Sequence, residues 1–167
     1  MKYLPFENIT YKTELKKGEV IKRLSNYIEP EKMIRFPIRN AKTHYEGRVN
    51  NHEFEIKRII DYRNAWLPRI EGTFHKDLEG TIIRVNMRLG FFVIIFMIFW
   101  CGAAGLGCIV ALTQLFTNSE VHPIAVFATF GMLLFAYVLT MAAFKKESSK
   151  SKKDLEKLFE ASIIDEK

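Results

Sequence analysis

Charged side chains are missing from two long stretches of this 167-residue chain, although 26% of its residues are charged. None occurs between Arg88 and Glu120, and none between Glu120 and Lys145. At about 1.5 Å per helical residue, each stretch is long enough to cross roughly 30 Å of hydrocarbon. The sequence therefore predicts a transmembrane hairpin, 89–144, with spans at about 89–112 and 123–144.

The two predicted spans also lack histidine, and cysteine is scarce. Ionisable groups inside a membrane normally mark ion paths and proton relays, so their absence argues against a self-contained transporter or proton channel. Cys101 and Cys108 are the only cysteines. In a helix their Cα atoms lie about 10 Å apart, which is too far for a disulfide.

Motifs that carry chemistry are missing too. The chain has no phosphate-binding loop, no nucleophile elbow and no glycine-rich dinucleotide turn. Its four histidines, at 44, 52, 75 and 122, are scattered and have no partner at metal-ligand spacing. We therefore predict no catalytic residue, no cofactor and no metal, and a protein that is not an enzyme.

Positive charge flanks the hairpin on one side only. Arg84 and Arg88 precede the first span and Lys145 and Lys146 follow the second, whereas the loop 113–122 contains no Lys or Arg. By the positive-inside rule, both termini are cytoplasmic. The sequence predicts a multi-pass protein of the inner (plasma) membrane.

Small residues form a candidate helix-packing patch in the first span. They allow another helix backbone to come close. The partner is either the second span or the same patch on another copy of the chain. The patch comprises Cys101, Gly102, Gly105, Gly107 and Cys108.

Residues 1–88 show both helical and strand periodicity. Apolar residues at helical spacing predict an amphipathic helix over 16–28, ended by Pro30. Period-two alternation then predicts strands. This is an α+β domain, with one helix on an antiparallel meander of four or five strands. Its last strand enters the first span without a linker, so the domain should be held against the inner leaflet. The predicted strands lie at about 34–38, 45–49, 53–60, 66–74 and 81–88.

Residues 145–167 are predicted to form a basic cytoplasmic tail and a short amphipathic helix. The helix would begin near Ser151, which has capping-box spacing to Asp154. Leu155, Leu158, Phe159 and Ser162 share one stripe. The helix either docks on the cytoplasmic domain or binds a partner, for example as a coiled coil.

Two segments carry a resemblance. They are Tyr62–Gly72 and Gly80–Leu89, followed by the aromatic end of the first span at Phe99 and Trp100. With them, roughly 45–101 resembles a group of small, uncharacterised bacterial membrane proteins. That resemblance implies no activity and no site residues. The helix and meander are also loosely similar to pleckstrin-homology-like domains.

One basic and aromatic cluster stands above the background, around the bend at 61–64. In a structural interpretation, its arginines pair with Asp61 and Glu71. In a functional interpretation, the cluster and the cations beside the spans together form a surface for anionic lipid or for a protein partner. The candidate surface comprises Arg58, Arg63, Arg69, Arg84, Arg88, Lys145 and Lys146.

These features lead to three hypotheses. The first is a membrane-anchored, non-enzymatic module that presents its α+β domain for protein docking or anionic-lipid sensing at the inner leaflet. The second is an accessory subunit of a transport or channel assembly, and the third is an enzyme that acts on a phosphorylated substrate. Expected partners are the lipid bilayer, anionic lipid, and a protein or second copy bound through the hairpin. Tethering at the membrane argues against nucleic acid.

Overall fold

The structure is a computed structural model, and it describes residues 4–30, 45–59, 66–117 and 124–166. Arg63, the strand predicted at 34–38 and the bend at 61–64 lie outside the described residues. The chain divides into two compact units. The first joins Met1–Gly90 to Phe144–Lys167, and the second is Phe91–Ala143.

The first unit is built on a seven-stranded sheet in the order β2-β3-β4-β5-β6-β1-β7. β2 and β3 are parallel, and every other neighbouring pair is antiparallel. The strands are β1 (Phe6–Thr13), β2 (Ile28–Pro30), β3 (Tyr45–Val49), β4 (Glu53–Arg58), β5 (Pro68–Asp77), β6 (Gly80–Leu89) and β7 (Ser162–Glu166). The helices of the chain are α1 (Lys17–Tyr27), α2 (Phe91–Thr117) and α3 (Ile124–Phe159).

The predicted α+β class is confirmed, as are α1 and the strands β3 to β6. β3 to β6 form an antiparallel meander of four strands, as predicted, but the meander is not the whole sheet, because the described residues form a mixed sheet with seven strands. β2 runs straight on from α1 and pairs in parallel with β3. β1 and β7, which the sequence did not predict, close the other edge.

One face of the sheet is apolar and buried. In each long strand alternate residues are buried, as in the pattern of β6. Val20 and Leu24 of α1 and Phe144, Leu155 and Phe159 of α3 complete this core. Gly72 makes room within it, because a Cβ atom there would lie 2.3 Å from the ring of Phe54.

The separate C-terminal helix that we predicted from Ser151 is wrong. α3 is one helix from Ile124 to Phe159, and Ser151 is fully buried inside it. Glu160, at φ 46°, ends the helix. The N–H of Ala161 donates to the carbonyl of Glu156 at 3.1 Å, as in a Schellman motif. The chain then turns into β7, which pairs with β1.

The second unit contains α2 and the first part of α3, and both helices are long and apolar enough to cross a membrane. The less exposed residues of each helix lie along one stripe. The two stripes meet where Thr140 Oγ1 donates to Met97 Sδ at 3.5 Å. On α2 the stripe is Val93, Met97, Trp100, Cys101, Ala104, Gly105, Cys108 and Ala111, and on α3 it includes Val126, Thr129, Leu133, Ala136 and Thr140.

Candidate functional site

The described members of the predicted basic surface lie on different faces of the first unit. Arg58 belongs to the covered face of the sheet, since it stands opposite the fully buried Tyr45. Its guanidinium lies 3.4 Å from Glu147 of α3, whose side chain is only 4% exposed. Arg58 therefore joins the sheet to α3 and is not available to an external ligand.

Arg69 and Arg88 lie on the opposite, uncovered face. They stand directly across from each other on β5 and β6. Arg69 forms ion pairs with Glu55 and Glu71, and Arg88 pairs with Glu71. The predicted pairing of an arginine with Glu71 is thus observed, and both arginines are already engaged by carboxylates.

Lys145 and Lys146 are exposed on α3, directly after the buried Phe144. Within the described part of the chain, neither lysine forms an ion pair or a side-chain hydrogen bond. Arg84, on β6, is exposed and equally free of such partners among the described residues. Among the described members of the predicted surface, these three cations remain open to a ligand.

The uncovered face of the sheet carries polar side chains in rows that run across the strands. Residues in register share a face, so each row is a set of neighbours. One row crosses β3 to β1 as Arg48, Glu55, Glu71, Asn86 and Asn8. The next row contains Glu53, Thr73, Arg84 and Thr10.

This face forms an open concavity of about 580 Å³. Short polar residues line its β5, β6 and β1 part, and longer charged side chains surround them. Ile9, Phe54 and Val85 also contribute atoms, but their side chains belong to the buried core. Its polar lining is Asn8, Thr10, Arg48, Asn50, Glu53, Glu55, Glu71, Thr73, Arg84 and Asn86.

The carboxylates around the concavity differ in whether a cation is paired with them. Arg69 and Arg88 engage Glu55 and Glu71. In the described part of the chain, the exposed side chain of Glu53 has no ion-pair partner. Asn86 Oδ1 is shielded from solvent and receives no hydrogen bond from these residues.

Beneath the sheet, polar contacts bind α3 to the strands. The Tyr45 hydroxyl donates to Asp154 Oδ2 at 3.0 Å. Lys152 Nζ bridges Glu7 at 2.8 Å and Glu166 at 2.5 Å, so it ties the helix to β1 and β7. These contacts, like the packing of Phe159, hold the C-terminal part of α3 on the sheet, which is the docking alternative for that segment.

A second tyrosine at the contact between α3 and the sheet is also shielded from solvent. Tyr11 is fully buried, and its hydroxyl lies 3.5 Å from the carbonyl oxygen of Lys152. Burial raises the pKa of the Tyr11 and Tyr45 phenols well above their ordinary value. Both groups therefore serve the packing of the unit as neutral phenols.

The candidate helix-packing residues separate into two groups. Cys101, Gly105 and Cys108 lie on the stripe of α2 that meets α3, and both cysteines are free thiols. Gly102 is exposed, and a Cβ atom on Gly107 would lie 3.7 Å from Thr129 Cγ2. The arrangement favours α3 of the same chain as the partner of most of the patch.

From the sequence we did not predict most of the residues that line the concavity. We named Arg84 but not Asn8 and Thr10, because we did not predict β1. We also overlooked Asn86, although the alternation in β6 already placed Asn86 between Arg84 and Arg88 on one face. The described residues contain no group of three His, Cys, Asp or Glu side chains that could hold a metal ion.

Comparison with known proteins adds no function to this geometry. No family model, no curated protein and no solved structure matches the chain. The contacts of the chain itself must therefore carry any functional argument.

Proposed function

We propose that this protein is a membrane-anchored, non-enzymatic module whose α+β unit works at the anionic cytoplasmic leaflet of the inner membrane. One observation carries the proposal: cations stand where the chain enters α2 and where the apolar part of α3 ends. Arg88 lies just before Phe91, the first residue of α2. Lys145 and Lys146 follow Ala143, the last residue of the second unit, with only Phe144 between.

Insertion in the membrane is the first part of this proposal. Both helices have the necessary length and hydropathy. Large aromatic side chains on both helices are exposed, which suits contact with lipid chains. These are Phe92, Phe96, Phe99, Phe127, Phe130 and Phe135. Both termini would be cytoplasmic by the positive-inside rule.

Attraction to anionic lipid is the second part. A Lys or Arg near an anionic leaflet contributes about 1 kcal/mol, and it does so only if its charge is available. Arg58, Arg69 and Arg88 already face carboxylates, so Lys145 and Lys146 should contribute most. Lipid is favoured over a protein partner here because these two lysines directly follow the apolar part of α3. Likeness to pleckstrin-homology-like domains stays a prediction, and the parallel β2–β3 pair departs from the meander on which it was based.

The test uses the full chain in nanodiscs that contain both phosphatidylcholine and phosphatidylglycerol. The lipids retained after transfer to mild detergent are identified by mass spectrometry. We expect phosphatidylglycerol to be enriched around the natural chain. In the double variant Lys145→Gln/Lys146→Gln the enrichment should fall, by up to about 2 kcal/mol or roughly thirtyfold in relative affinity.

The matched control is Lys153→Gln/Lys157→Gln. It removes two exposed lysines from the same helix, further from the apolar segment. This control should keep the enrichment. Equal enrichment in all three proteins, or an equal loss in the two double variants, would remove the support for a leaflet contact at Lys145 and Lys146.

A further inference from the structure

Three hydrogen-bond donors stand side by side at the centre of the uncovered sheet face. Thr73 on β5 is opposite Arg84 on β6, and Arg84 is opposite Thr10 on β1. Residues opposite each other on antiparallel strands have Cβ atoms about 5 Å apart and point to the same side. A guanidinium is therefore flanked by two hydroxyl groups, within the lining of the concavity.

Arg84 differs from the other arginines of β5 and β6 on this face. Arg69 and Arg88 are engaged by Glu55 and Glu71. Arg84 has no carboxylate partner among the described residues, because the positions opposite it carry threonines. A guanidinium without a carboxylate partner, flanked by hydroxyl groups that can turn to donate, suits the oxygens of a phosphate or carboxylate. The Thr73 hydroxyl also lies 3.0 Å from His75 Nε2 on the same strand.

The neighbouring row adds an acceptor. Asn86 lies two residues along β6 from Arg84, and its Oδ1 is shielded from solvent without a donor in the described part of the chain. A ligand that offers an N–H or O–H group would satisfy it. Glu53, exposed on β4 in the same row as Thr73, would favour a positively charged group on that side of the ligand.

The dimensions and the position favour a soluble ligand. A volume of about 580 Å³ is within the range of small-molecule sites. Among the described residues that line the concavity, the large apolar ones are Ile9, Phe54 and Val85, whose side chains belong to the buried core, so the site is poorly suited to an acyl chain. Arg84 is also about 13 Å further along β6 than Arg88, counted at 3.3 Å per residue, and so lies away from the strand end that leads into α2.

We infer that this concavity binds a small soluble anion, a phosphate monoester or carboxylate that also carries an amino or hydroxyl group. Arg84, Thr10 and Thr73 hold the anionic group, and Asn86 accepts a hydrogen bond from the ligand. The site is separate from Lys145 and Lys146, so it does not depend on the contact with lipid proposed above.

Phosphoethanolamine and inorganic phosphate are suitable probes, added to the full chain in phosphatidylcholine nanodiscs. We expect saturable binding of phosphoethanolamine by calorimetry and by broadening of its ³¹P resonance, and weaker binding of inorganic phosphate, which has no amino group. Arg84→Gln should weaken phosphoethanolamine binding about tenfold to a hundredfold, since hydrogen bonds to charged groups contribute about 1.5–3 kcal/mol. Thr73→Val should weaken it about fivefold, for the loss of one neutral hydrogen bond.

Arg88→Gln is the matched control, because it removes a guanidinium from the same strand and the same face. Its pair with Glu71 makes it unavailable, so we expect less than about a threefold effect. Thermal unfolding of Arg84→Gln should match that of the natural chain, since Arg84 is exposed and unpaired within the described residues. The inference is overturned if neither probe binds saturably, or if Arg84→Gln and Arg88→Gln lose binding equally. It is also overturned if binding disappears when phosphatidylglycerol replaces phosphatidylcholine, because the site would then serve lipid headgroups.

Discussion

Arg58 and Arg88 each pair with a glutamate, but burial gives the two ion pairs different weights. The side chains of Arg58 and Glu147 are 19% and 4% exposed. Those of Arg88 and Glu71 are 51% and 34% exposed. Water screens the second pair, whereas removing one partner of the first leaves a charge without solvent. The Arg58 contact should therefore matter much more for stability.

Replacing each arginine by alanine tests this difference. We expect Arg58→Ala to lower the free energy of unfolding by about 3 kcal/mol, because the Glu147 carboxylate, only 4% exposed, loses the guanidinium that lies 3.4 Å from it. Arg88→Ala should cost less than about 1 kcal/mol. Denaturant unfolding of the full chain in detergent measures both, and equal costs would show that Glu147 is solvated.

Tyr11 provides a prediction about pH. Burial raises the pKa of its phenol, and Glu156, Glu166 and Glu7 raise it further. Above pH 10 the unfolded chain ionises this tyrosine while the folded chain keeps it neutral, so stability is fully present below about pH 10 and falls as the pH rises. The contribution is about 1.4 kcal/mol per pH unit.

Tyr11→Phe is the comparison that isolates this phenol, because it removes the hydroxyl group and keeps the ring. The variant should lose stability less steeply than the natural chain between pH 10 and 11, as measured by denaturant midpoints. Parallel slopes for the two proteins would mean that Tyr11 is accessible to solvent in the folded state.

At the scale of elements, the end of α3 joins the helix to the sheet. The ring of Phe159 is fully buried and contacts the rings of Tyr11 at 6.3 Å and Phe54 at 6.2 Å. Thr13 Oγ1 donates to the Phe159 carbonyl at 2.7 Å. A side chain with these neighbours cannot be removed without leaving a cavity that the strands are unable to fill.

We therefore expect Phe159→Ala to lower the free energy of unfolding by about 3–5 kcal/mol. Leu158→Ala is the control on the same turn, since Leu158 is only half-buried. It should cost clearly less. Thermal or denaturant unfolding of both variants measures the difference. Similar small costs would mean that the end of α3 separates from the sheet easily and is free to bind a partner.

The elements that the sequence predicted are those with a strong local pattern. β4, β5 and β6 alternate clearly between apolar and polar residues, whereas β1 places the partly buried Glu7 and the buried Thr13 on the same face as Ile9 and so shows a weak pattern. Among the described strands β7 pairs with β1 alone, and it is mostly exposed. We predicted that the second span ends at 144, because charged residues begin at Lys145, and so did not expect α3 to continue as one helix. Yet no Gly or Pro occurs between Met132 and Phe159, and their absence predicts one helix.

The candidate site was less predictable because it depends on pairing between distant strands. The sequence identified Arg84 as an available cation but grouped it with Arg58, which faces the other side of the sheet. Thr10 reaches Arg84 only because β1 lies beside β6, and no local pattern encodes that neighbour. Register decides which polar side chains meet, and it becomes known only when the whole sheet is assembled.

At the scale of the molecule, the first unit is built from two separated parts of the chain. Residues 144–167 return to the sheet formed by 1–90, and they supply Phe144, Leu155 and Phe159 to its core as well as β7. Residues 1–90 alone would therefore expose Tyr11, Phe54 and the open edge of β1. Exposed apolar faces and unpaired strand edges promote aggregation.

This arrangement predicts the behaviour of two shortened chains. Residues 1–90 alone should aggregate or unfold in solution. A chain that joins 1–90 to 144–167 through a flexible Gly/Ser linker should be soluble and unfold cooperatively, because the linker replaces the hairpin and restores the missing core. Adding Phe159→Ala to the linked chain should lower its unfolding midpoint. Size-exclusion chromatography and denaturant unfolding measure these outcomes. A folded, monomeric 1–90 would show that the C-terminal part is an addition to the unit and not one of its structural components.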